Sequence, residues 1–188
     1  MGGEIIQADE TTRTIGFAQE DAGNAETSSP EDHMLMVDDE AAILRILPRT
    51  VKRDFPGVKI DTALNGREGL EKAQALSDDL HSRLIAVVSD MIMPEMTGIE
   101  LYRKLREIPG FEDLPVVWVS GYTGKDFPEV QEALDGRDPF LRYLQKPFEG
   151  QKLIQHLQEL IALRAERRAA QSETASALTD SPDSGLAD

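Results

Sequence analysis

The stretch Leu-Ile-Ala-Val-Val-Ser-Asp, residues 84–90, decides the fold of this chain. Leu84–Ser89 is an apolar run that ends abruptly in Asp90, which opens a loop containing proline and glycine. A short apolar run bounded by turn residues is typical of a strand that is buried on both faces. Such strands occur mainly in parallel sheets whose two faces are covered by helices.

Four further runs repeat this pattern along the chain, at His33–Val37, Val58–Leu64, Pro115–Ser120 and Phe140–Gln145. The segments between and after them carry apolar residues at helical spacing, over Ile43–Phe55, Arg67–Leu80, Ile99–Arg106, Lys125–Leu134 and Glu149–Ala170. Five strands alternating with helices predict right-handed βαβ units around one parallel sheet. Pro48 lies within the first helix, where we expect it to kink the helix.

The composition excludes several classes of function. A formal net charge of −15 argues against binding to nucleic-acid phosphates and against a helix attracted to anionic lipid. The lack of cysteine excludes disulfides, thiolate–zinc sites and cysteine nucleophiles, and three scattered histidines are too few for a metal triad. No apolar run approaches the length of a membrane span, and the first residues lack a signal-peptide pattern. We therefore expect a cytoplasmic protein without membrane insertion.

The negative charge is concentrated at the two ends of the chain. Residues 1–32 hold eight acids and one base, and residues 171–188 hold four acids and no base. Both ends are also rich in Ser, Thr, Ala and Gly, a composition typical of disorder. We expect an acidic, disordered tail or linker over 1–32, a folded domain over 33–165, and the end of the last helix with a disordered polar tail over 166–188.

Polar residues follow four of the predicted strands. Asp38 and Asp39 come after the first strand, Asp90 after the third, Ser120 ends the fourth, and Lys146 follows the fifth. In a parallel sheet these residues meet at one edge, where such folds bind ligands. Three carboxylates repel one another, so their pKa values should rise unless a cation is present. An all-oxygen set suits Mg²⁺, and the ammonium and hydroxyl suit an anionic group such as phosphoryl beside it.

Four motifs in this order resemble the signature of response-regulator receiver domains. They are Val37-Asp-Asp-Glu40, Val88-Ser-Asp-Met-Ile-Met-Pro-Glu-Met-Thr-Gly98, Ser120-Gly-Tyr122 and Lys146-Pro-Phe148. Each piece is weak alone, but each lies at the expected strand end, and the match covers roughly 33–165. The resemblance implies a flavodoxin-like (βα)5 three-layer sandwich with a five-stranded parallel sheet in the order 2-1-3-4-5.

The resemblance also implies roles for individual residues. Asp90 would be the phosphoacceptor, taking a phosphoryl group from the phosphohistidine of a histidine kinase. Mg²⁺ would be held by Asp39, by Asp38 largely through water, by Asp90, and by the backbone carbonyl of Ile92. Lys146 would pair with a phosphoryl oxygen, so that Asp90, Lys146 and Ser120 would carry the chemistry.

The remaining implied roles concern switching and the lifetime of the phosphoryl group. Ser120 would move to hydrogen-bond the phosphoryl group, and Tyr143 would turn inward behind it. The Lys146–Pro147 peptide is expected to be cis. Ile92 and Tyr122 lie two positions after the phosphoacceptor and the hydroxyl residue, where they would border the path of attacking water. Because both are bulky, we predict slow self-dephosphorylation.

Three functions remain open at this point. The first is a phosphorylation-controlled switch without its own output domain, which is not an enzyme and contacts a downstream protein through the face of helix 4, strand 5 and helix 5. The second is the receiver of a hybrid histidine kinase, which relays phosphate to a histidine phosphotransfer protein, with 1–32 as a linker. The third is a Mg²⁺-dependent phosphatase with an aspartyl-phosphate intermediate. Ile92 argues against it, because such enzymes usually carry a second Asp there.

Overall fold

A computed structural model describes residues 29–122, 131, 135 and 138–179. Over these residues there are five strands and four helices, which alternate as far as the fourth strand; the fifth strand follows the fourth without a described helix between them. The strands are β1 (Glu31–Val37), β2 (Lys59–Ala63), β3 (Ser82–Asp90), β4 (Val116–Ser120) and β5 (Leu141–Gln145). The helices are α1 (Ile43–Lys52), α2 (Gly66–Asp78), α3 (Gly98–Arg106) and the C-terminal helix Gly150–Thr179.

All strand pairs in the sheet are parallel, and the strand order is β2-β1-β3-β4-β5. The register aligns the carboxyl ends, since Val37 pairs with Ser89 and Ser120 pairs with Gln145. The strand order changes direction at β1 and β3, so the loops after these strands form a crevice at this edge. The predicted flavodoxin-like sandwich is confirmed.

Apolar side chains cover both faces of the sheet, and each face has its own cluster. The first cluster packs α2 and α3 against the sheet and includes Leu35, Val37, Leu101, Leu105 and Trp118. The second packs α1 and the C-terminal helix against the other face and includes Met34, Val51, Val117, Leu153 and Leu157. Burying each such side chain stabilises the fold by about 1.5–3 kcal/mol. Since helices pack on both faces, the sheet is held in place, and with it the edge formed by the carboxyl ends of its strands.

Local hydrogen bonds determine where the helices near this edge begin. The Thr97 hydroxyl accepts from the Glu100 amide at 3.2 Å, and the Glu100 carboxylate accepts from the Thr97 amide at 2.9 Å. This capping box starts α3 directly after the loop that follows β3. Helix α1 continues through Pro48 to Lys52. A proline at this position lacks the amide that would otherwise donate to Leu44.

The structure corrects two boundaries. The C-terminal helix ends at Thr179 rather than at Ala170, and β1 begins at Glu31, two residues inside the predicted tail 1–32. The remaining expectations for the two ends of the chain concern residues 1–28 and 180–188, which lie outside the described residues. The predicted fourth helix over 125–134 lies outside them as well, except for position 131. No helix within the described ranges is long and apolar enough to cross a membrane.

A buried ion-pair network attaches the C-terminal helix to the loop before β4. The Arg164 guanidinium donates to Asp113 at 3.0 Å, to the Leu84 carbonyl at 2.8 Å and to the Gly110 carbonyl at 3.0 Å. Arg168 donates to the same carboxylate at 2.8 Å and to the Gly110 carbonyl at 2.7 Å. Burial lowers the pKa of Arg164 to about 10. Burial would raise the pKa of Asp113, but the two arginines hold it below its usual value. We call these five residues the arginine clamp.

Candidate functional site

Three carboxylates lie together at the carboxyl edge of the sheet. Asp38 and Asp39 follow β1, and Asp90 ends β3. One oxygen of each carboxylate lies within 4.8 Å of an oxygen of each of the other two. Asp38 and Asp90 are buried and Asp39 is exposed, so the cluster opens to solvent on one side. A cluster of three oxygen donors with this spacing could hold a divalent cation.

Among the described residues, Lys146 is the one whose ammonium group contacts both buried carboxylates. Its Nζ donates to Asp38 Oδ2 at 2.7 Å and to Asp90 Oδ2 at 3.2 Å. The backbone amide of Lys146 donates to the Ser120 carbonyl at 2.7 Å, which holds the residues after β5 against the end of β4. The Lys146–Pro147 peptide is cis, and this confirms the prediction.

The charge of the cluster is only partly neutralised. Burial raises the pKa of Asp38 above its usual value, and the hydrogen bonds from Lys146 and the Glu40 amide oppose this only in part. Burial would lower the pKa of Lys146, but the hydrogen bond and charge of Asp38 and the charge of Asp90 raise it. The pKa of Asp38 rises as the sequence predicts, but burial is a larger cause than repulsion by Asp90. The site therefore favours an additional positive charge.

The loop after Asp90 is closed by short backbone contacts. Asp90 Oδ1 accepts from the Met91 amide at 2.6 Å, and the Ser89 hydroxyl donates to the Asp90 carbonyl at 2.8 Å. The Gly98 amide donates to the Met91 carbonyl at 2.9 Å. A β-carbon on Gly98 would lie 1.9 Å from the Asp90 carbonyl oxygen, so only glycine allows this approach. We call residues 90–98 the phosphoacceptor loop, after the role that the sequence predicts for Asp90.

Three of the remaining predicted residues, Ser120, Tyr122 and Tyr143, are joined by hydrogen bonds to the backbone of Tyr122. Ser120 is buried at the end of β4, and its hydroxyl accepts from the Tyr122 amide at 3.3 Å. The half-buried Tyr143 donates its hydroxyl to the Tyr122 carbonyl, while the Tyr122 side chain is 53 % exposed. Ile92 is half-buried in the phosphoacceptor loop and packs on the α2–α3 side of the sheet.

The structure thus brings four predicted residues into one charged cluster, namely Asp38, Asp39, Asp90 and Lys146. It also contains a contact that the sequence reasoning missed. Trp118 Nε1 donates to the Gly98 carbonyl at 3.2 Å inside the core. A tryptophan within an apolar strand carries no sequence signal for such a bond, because the acceptor is a backbone carbonyl of another element.

Comparison with known proteins agrees with this architecture. The sequence model of the family described as "Response regulator receiver domain" matches residues 34–158. The "Chemotaxis protein CheY homolog" of Campylobacter jejuni is 30% identical over 138 residues, which cover 73% of this chain and 98% of that protein. The "Hybrid signal transduction histidine kinase D" of Dictyostelium discoideum is 26% identical over 147 residues. These cover 78% of this chain but only 9% of that kinase.

Solved structures show the same fold. The chemotaxis protein CheY4 of Vibrio cholerae has a TM-score of 0.56 and 27% identity, and covers 71% of this chain and 99% of its own. The CheY-like receiver domain protein from Methanospirillum hungatei has a TM-score of 0.59 and 22% identity, with 74% and 99% coverage. The signal receiver domain of a histidine kinase from Syntrophus aciditrophicus has a TM-score of 0.54 and 25% identity, with 69% and 89% coverage.

Proposed function

This chain belongs to the response regulator receiver domain family of two-component signalling, and from this premise we propose that Asp90 accepts a phosphoryl group in a Mg²⁺-dependent reaction. The donor is the phosphohistidine of a histidine kinase. The observation that carries the proposal is the charged cluster, in which Lys146 Nζ lies 2.7 Å from Asp38 and 3.2 Å from Asp90. Because the two buried carboxylates share a single ammonium group, their negative charge exceeds the positive charge around them. A cation beside the acceptor Asp90 would balance this excess.

The transfer step is a displacement at phosphorus. A carboxylate oxygen of Asp90 forms the new P–O bond while the P–N bond of the phosphohistidine breaks, and the electron pair stays on the imidazole nitrogen. Lys146 then donates to a phosphoryl oxygen, because its ammonium already lies at hydrogen-bond distance from the acceptor. Hydrolysis by water releases inorganic phosphate and restores the carboxylate, so the chain accepts and loses a phosphoryl group without turning over a separate substrate.

The residues present fit Mg²⁺ as the cation. Asp38, Asp39 and Asp90 would hold it together with the backbone carbonyl of Ile92, and oxygen ligands are what this hard cation prefers. The raised pKa of Asp38 supports the fit, since it reflects a buried carboxylate that lacks sufficient positive charge. When bound, the ion supplies the charge that keeps the carboxylates ionised and offsets the incoming phosphoryl oxygens.

Switching is proposed to involve Ser120 and Tyr143. The Ser120 hydroxyl would exchange the Tyr122 amide for a phosphoryl oxygen, and Tyr143 would follow it inward. The output is a contact with a downstream protein through the face of β5, the C-terminal helix and the predicted fourth helix. Partners upstream are a histidine kinase or a histidine phosphotransfer protein, and the location is cytoplasmic. Ile92 beside the acceptor supports slow loss of the phosphoryl group.

A second candidate is the receiver module of a hybrid histidine kinase, which relays phosphate onward to a histidine phosphotransfer protein. The match to the Dictyostelium hybrid kinase and the likeness to the Syntrophus histidine-kinase receiver support it. In a relay, the phosphorylated chain should pass its label to an added histidine phosphotransfer domain. The phosphatase alternative has no such support, because Ile92 occupies the position where a second acid is expected.

The decisive experiment is incubation of the full chain with Mg²⁺ and acetyl phosphate, followed by intact-mass measurement. We expect the wild type to gain one phosphoryl group, and we expect EDTA or the substitution Asp90→Ala to prevent this. Asp78→Asn, at an exposed acid at the end of α2, is the matched control and should label like the wild type. Labelling of the Asp90→Ala variant would contradict the assignment.

A further inference from the structure

Trp118 is the residue through which β4 contacts the phosphoacceptor loop. It is the only tryptophan of the chain, and its side chain is completely buried. Its indole Nε1 donates to the Gly98 carbonyl at 3.2 Å. The acceptor lies at the point where the phosphoacceptor loop ends and α3 begins. The indole therefore fixes the far end of the loop that starts at Asp90.

Gly98 transmits this restraint to Asp90 itself. The Cα of Gly98 lies so close to the Asp90 carbonyl that a β-carbon would come within 1.9 Å of its oxygen. The Gly98 amide also donates to the Met91 carbonyl at 2.9 Å. Because these backbone groups are in contact, a shift of Gly98 must displace the backbone that carries the Asp90 side chain.

The indole also contacts Tyr102 of α3, which belongs to a polar cluster. The Tyr102 ring packs edge-on against Trp118, with ring centres 5.1 Å apart and an angle of 69° between the rings. The Tyr102 hydroxyl donates to Asp138 at 2.6 Å, and Arg106 donates to the same carboxylate oxygen at 2.9 Å. The other oxygen of Asp138 accepts from the Phe140 amide at 2.7 Å, directly before β5. A continuous set of contacts thus joins the loop to the segment that leads into β5.

We infer that Trp118 is a positioning residue for the phosphoacceptor Asp90, and that Tyr102 and Asp138 extend this connection to the start of β5. The inference rests on the proposed function of Asp90. The connection runs inside the core between β4 and α3, whereas the Ser120–Tyr143 connection runs along the carboxyl edge of the sheet. By linkage, a change of the loop on phosphorylation also changes the contacts of Asp138. Loosening the contacts of Asp138 in turn changes how readily Asp90 is phosphorylated.

The test compares Trp118→Phe with a control on the opposite face of the sheet. Leu160→Val removes one methylene from the second apolar cluster, and both variants are expected to lower the melting temperature. Only Trp118→Phe should slow labelling by acetyl phosphate at saturating Mg²⁺, by about three- to tenfold, because it removes the indole donor. Equal rates for Trp118→Phe and the wild type would overturn the inference.

Tyr102→Phe tests the extension to Asp138. It keeps the ring against Trp118 and removes only the hydroxyl that donates to Asp138. We expect labelling to slow about twofold, a smaller effect than that of Trp118→Phe because the bond to Gly98 remains. A Tyr102→Phe variant that labels at the wild-type rate would remove Tyr102 and Asp138 from the connection.

Fluorescence provides a test on the unaltered chain. Since Trp118 is the only tryptophan, its emission should change when Mg²⁺ and acetyl phosphate label the wild type, and should not change in Asp90→Asn. A labelled wild type with unchanged emission would overturn the inference alone. A wild type that takes no label would overturn the proposed function, and the inference with it.

Discussion

Replacing Asp38 by asparagine should stabilise the protein in the absence of divalent cations, although it removes an ion pair. The Asp38 carboxylate is 1 % exposed and donates no proton, so its charge has to be balanced by its neighbours. Asparagine keeps the shape of the side chain and keeps the carbonyl oxygen that accepts from the Glu40 amide at 2.9 Å. Lys146 retains its second partner, Asp90, at 3.2 Å.

The expected magnitude follows from the opposing charges. At an effective dielectric constant of about 20, Lys146 at 2.7 Å attracts the Asp38 carboxylate by about 6 kcal/mol. Asp90, with an oxygen within 4.8 Å, repels it by at least about 3.5 kcal/mol, and burial costs several more. The two sides nearly cancel, and the raised pKa of Asp38 shows that the balance is against the charged form. Because the opposing charges nearly cancel and Lys146 keeps Asp90 as a partner, we expect a gain of about 1 kcal/mol, or about 2–4 °C in melting temperature.

The gain should depend on pH in a defined direction. The folded-state pKa of Asp38 is raised above the usual 3.8, so the folded protein holds this proton more firmly than the unfolded chain does. The associated stability is present below pH 3.8 and is lost as the pH rises through the raised pKa. The difference between Asp38→Asn and the wild type should therefore be small in acid and reach its full value above the raised pKa.

Thermal unfolding followed by circular dichroism, in EDTA and in Mg²⁺, measures both effects. In Mg²⁺ the wild type should gain about 2.7 kcal/mol at a concentration one hundred times Kd. Asp38→Asn lacks one carboxylate of the site, so its gain should fall short by more than its advantage in EDTA, and the order of the two proteins should reverse. Asp78→Asn, at an exposed acid, should change neither result. A lower melting temperature of Asp38→Asn in EDTA at neutral pH would refute the reasoning.

Three further predictions concern other parts of the structure. Gly98→Ala places a β-carbon 1.9 Å from the Asp90 carbonyl oxygen and should both lower the melting temperature and abolish labelling by acetyl phosphate. Asp113→Ala leaves the buried Arg164 without its carboxylate and should cost about 3 kcal/mol in urea unfolding at pH 7. Because the pKa of Asp113 is lowered, this loss should shrink as the pH falls through that pKa, and a loss that is constant with pH would contradict the ion-pair explanation. Exchanging Ile92 for Asn and Tyr122 for Ala should speed loss of the phosphoryl group several-fold in a phosphate-release assay, and an unchanged rate would disprove their role as barriers to water.

The strand pattern alone predicted most of the fold and the residues gathered at the site. Apolar runs ending in polar residues place Asp38, Asp90, Ser120 and Lys146 at one edge, because the carboxyl ends of parallel strands coincide. Parallel pairing requires no knowledge of side-chain packing, so this part of the site follows from the order of elements. The family motifs then supplied the strand order and the proposed roles.

The contacts that the sequence did not predict join residues far apart in the chain. Asp113 and Arg164 are 51 positions apart, and Tyr102 and Asp138 are 36 positions apart. Such pairs depend on how each helix is rotated against the sheet, and apolar periodicity defines that rotation only approximately. The end of the C-terminal helix was also missed, because its last turns contain good helix formers but no apolar stripe against the domain.

The arginine clamp holds the C-terminal helix at one point, so a rotation of the helix there displaces its far end. Arg164 and Arg168 attach it to the carbonyl of Gly110 and to Asp113, and the helix continues from there to Thr179. At 1.5 Å per residue, the part beyond Arg168 extends about 16 Å, so each degree of rotation at the clamp moves its far end by about 0.3 Å. Beyond the clamp, the side chains at positions 169–174 are exposed, so the described domain does not oppose that swing. A small tilt of the loop between α3 and β4 would therefore produce a larger displacement at the far end of the helix.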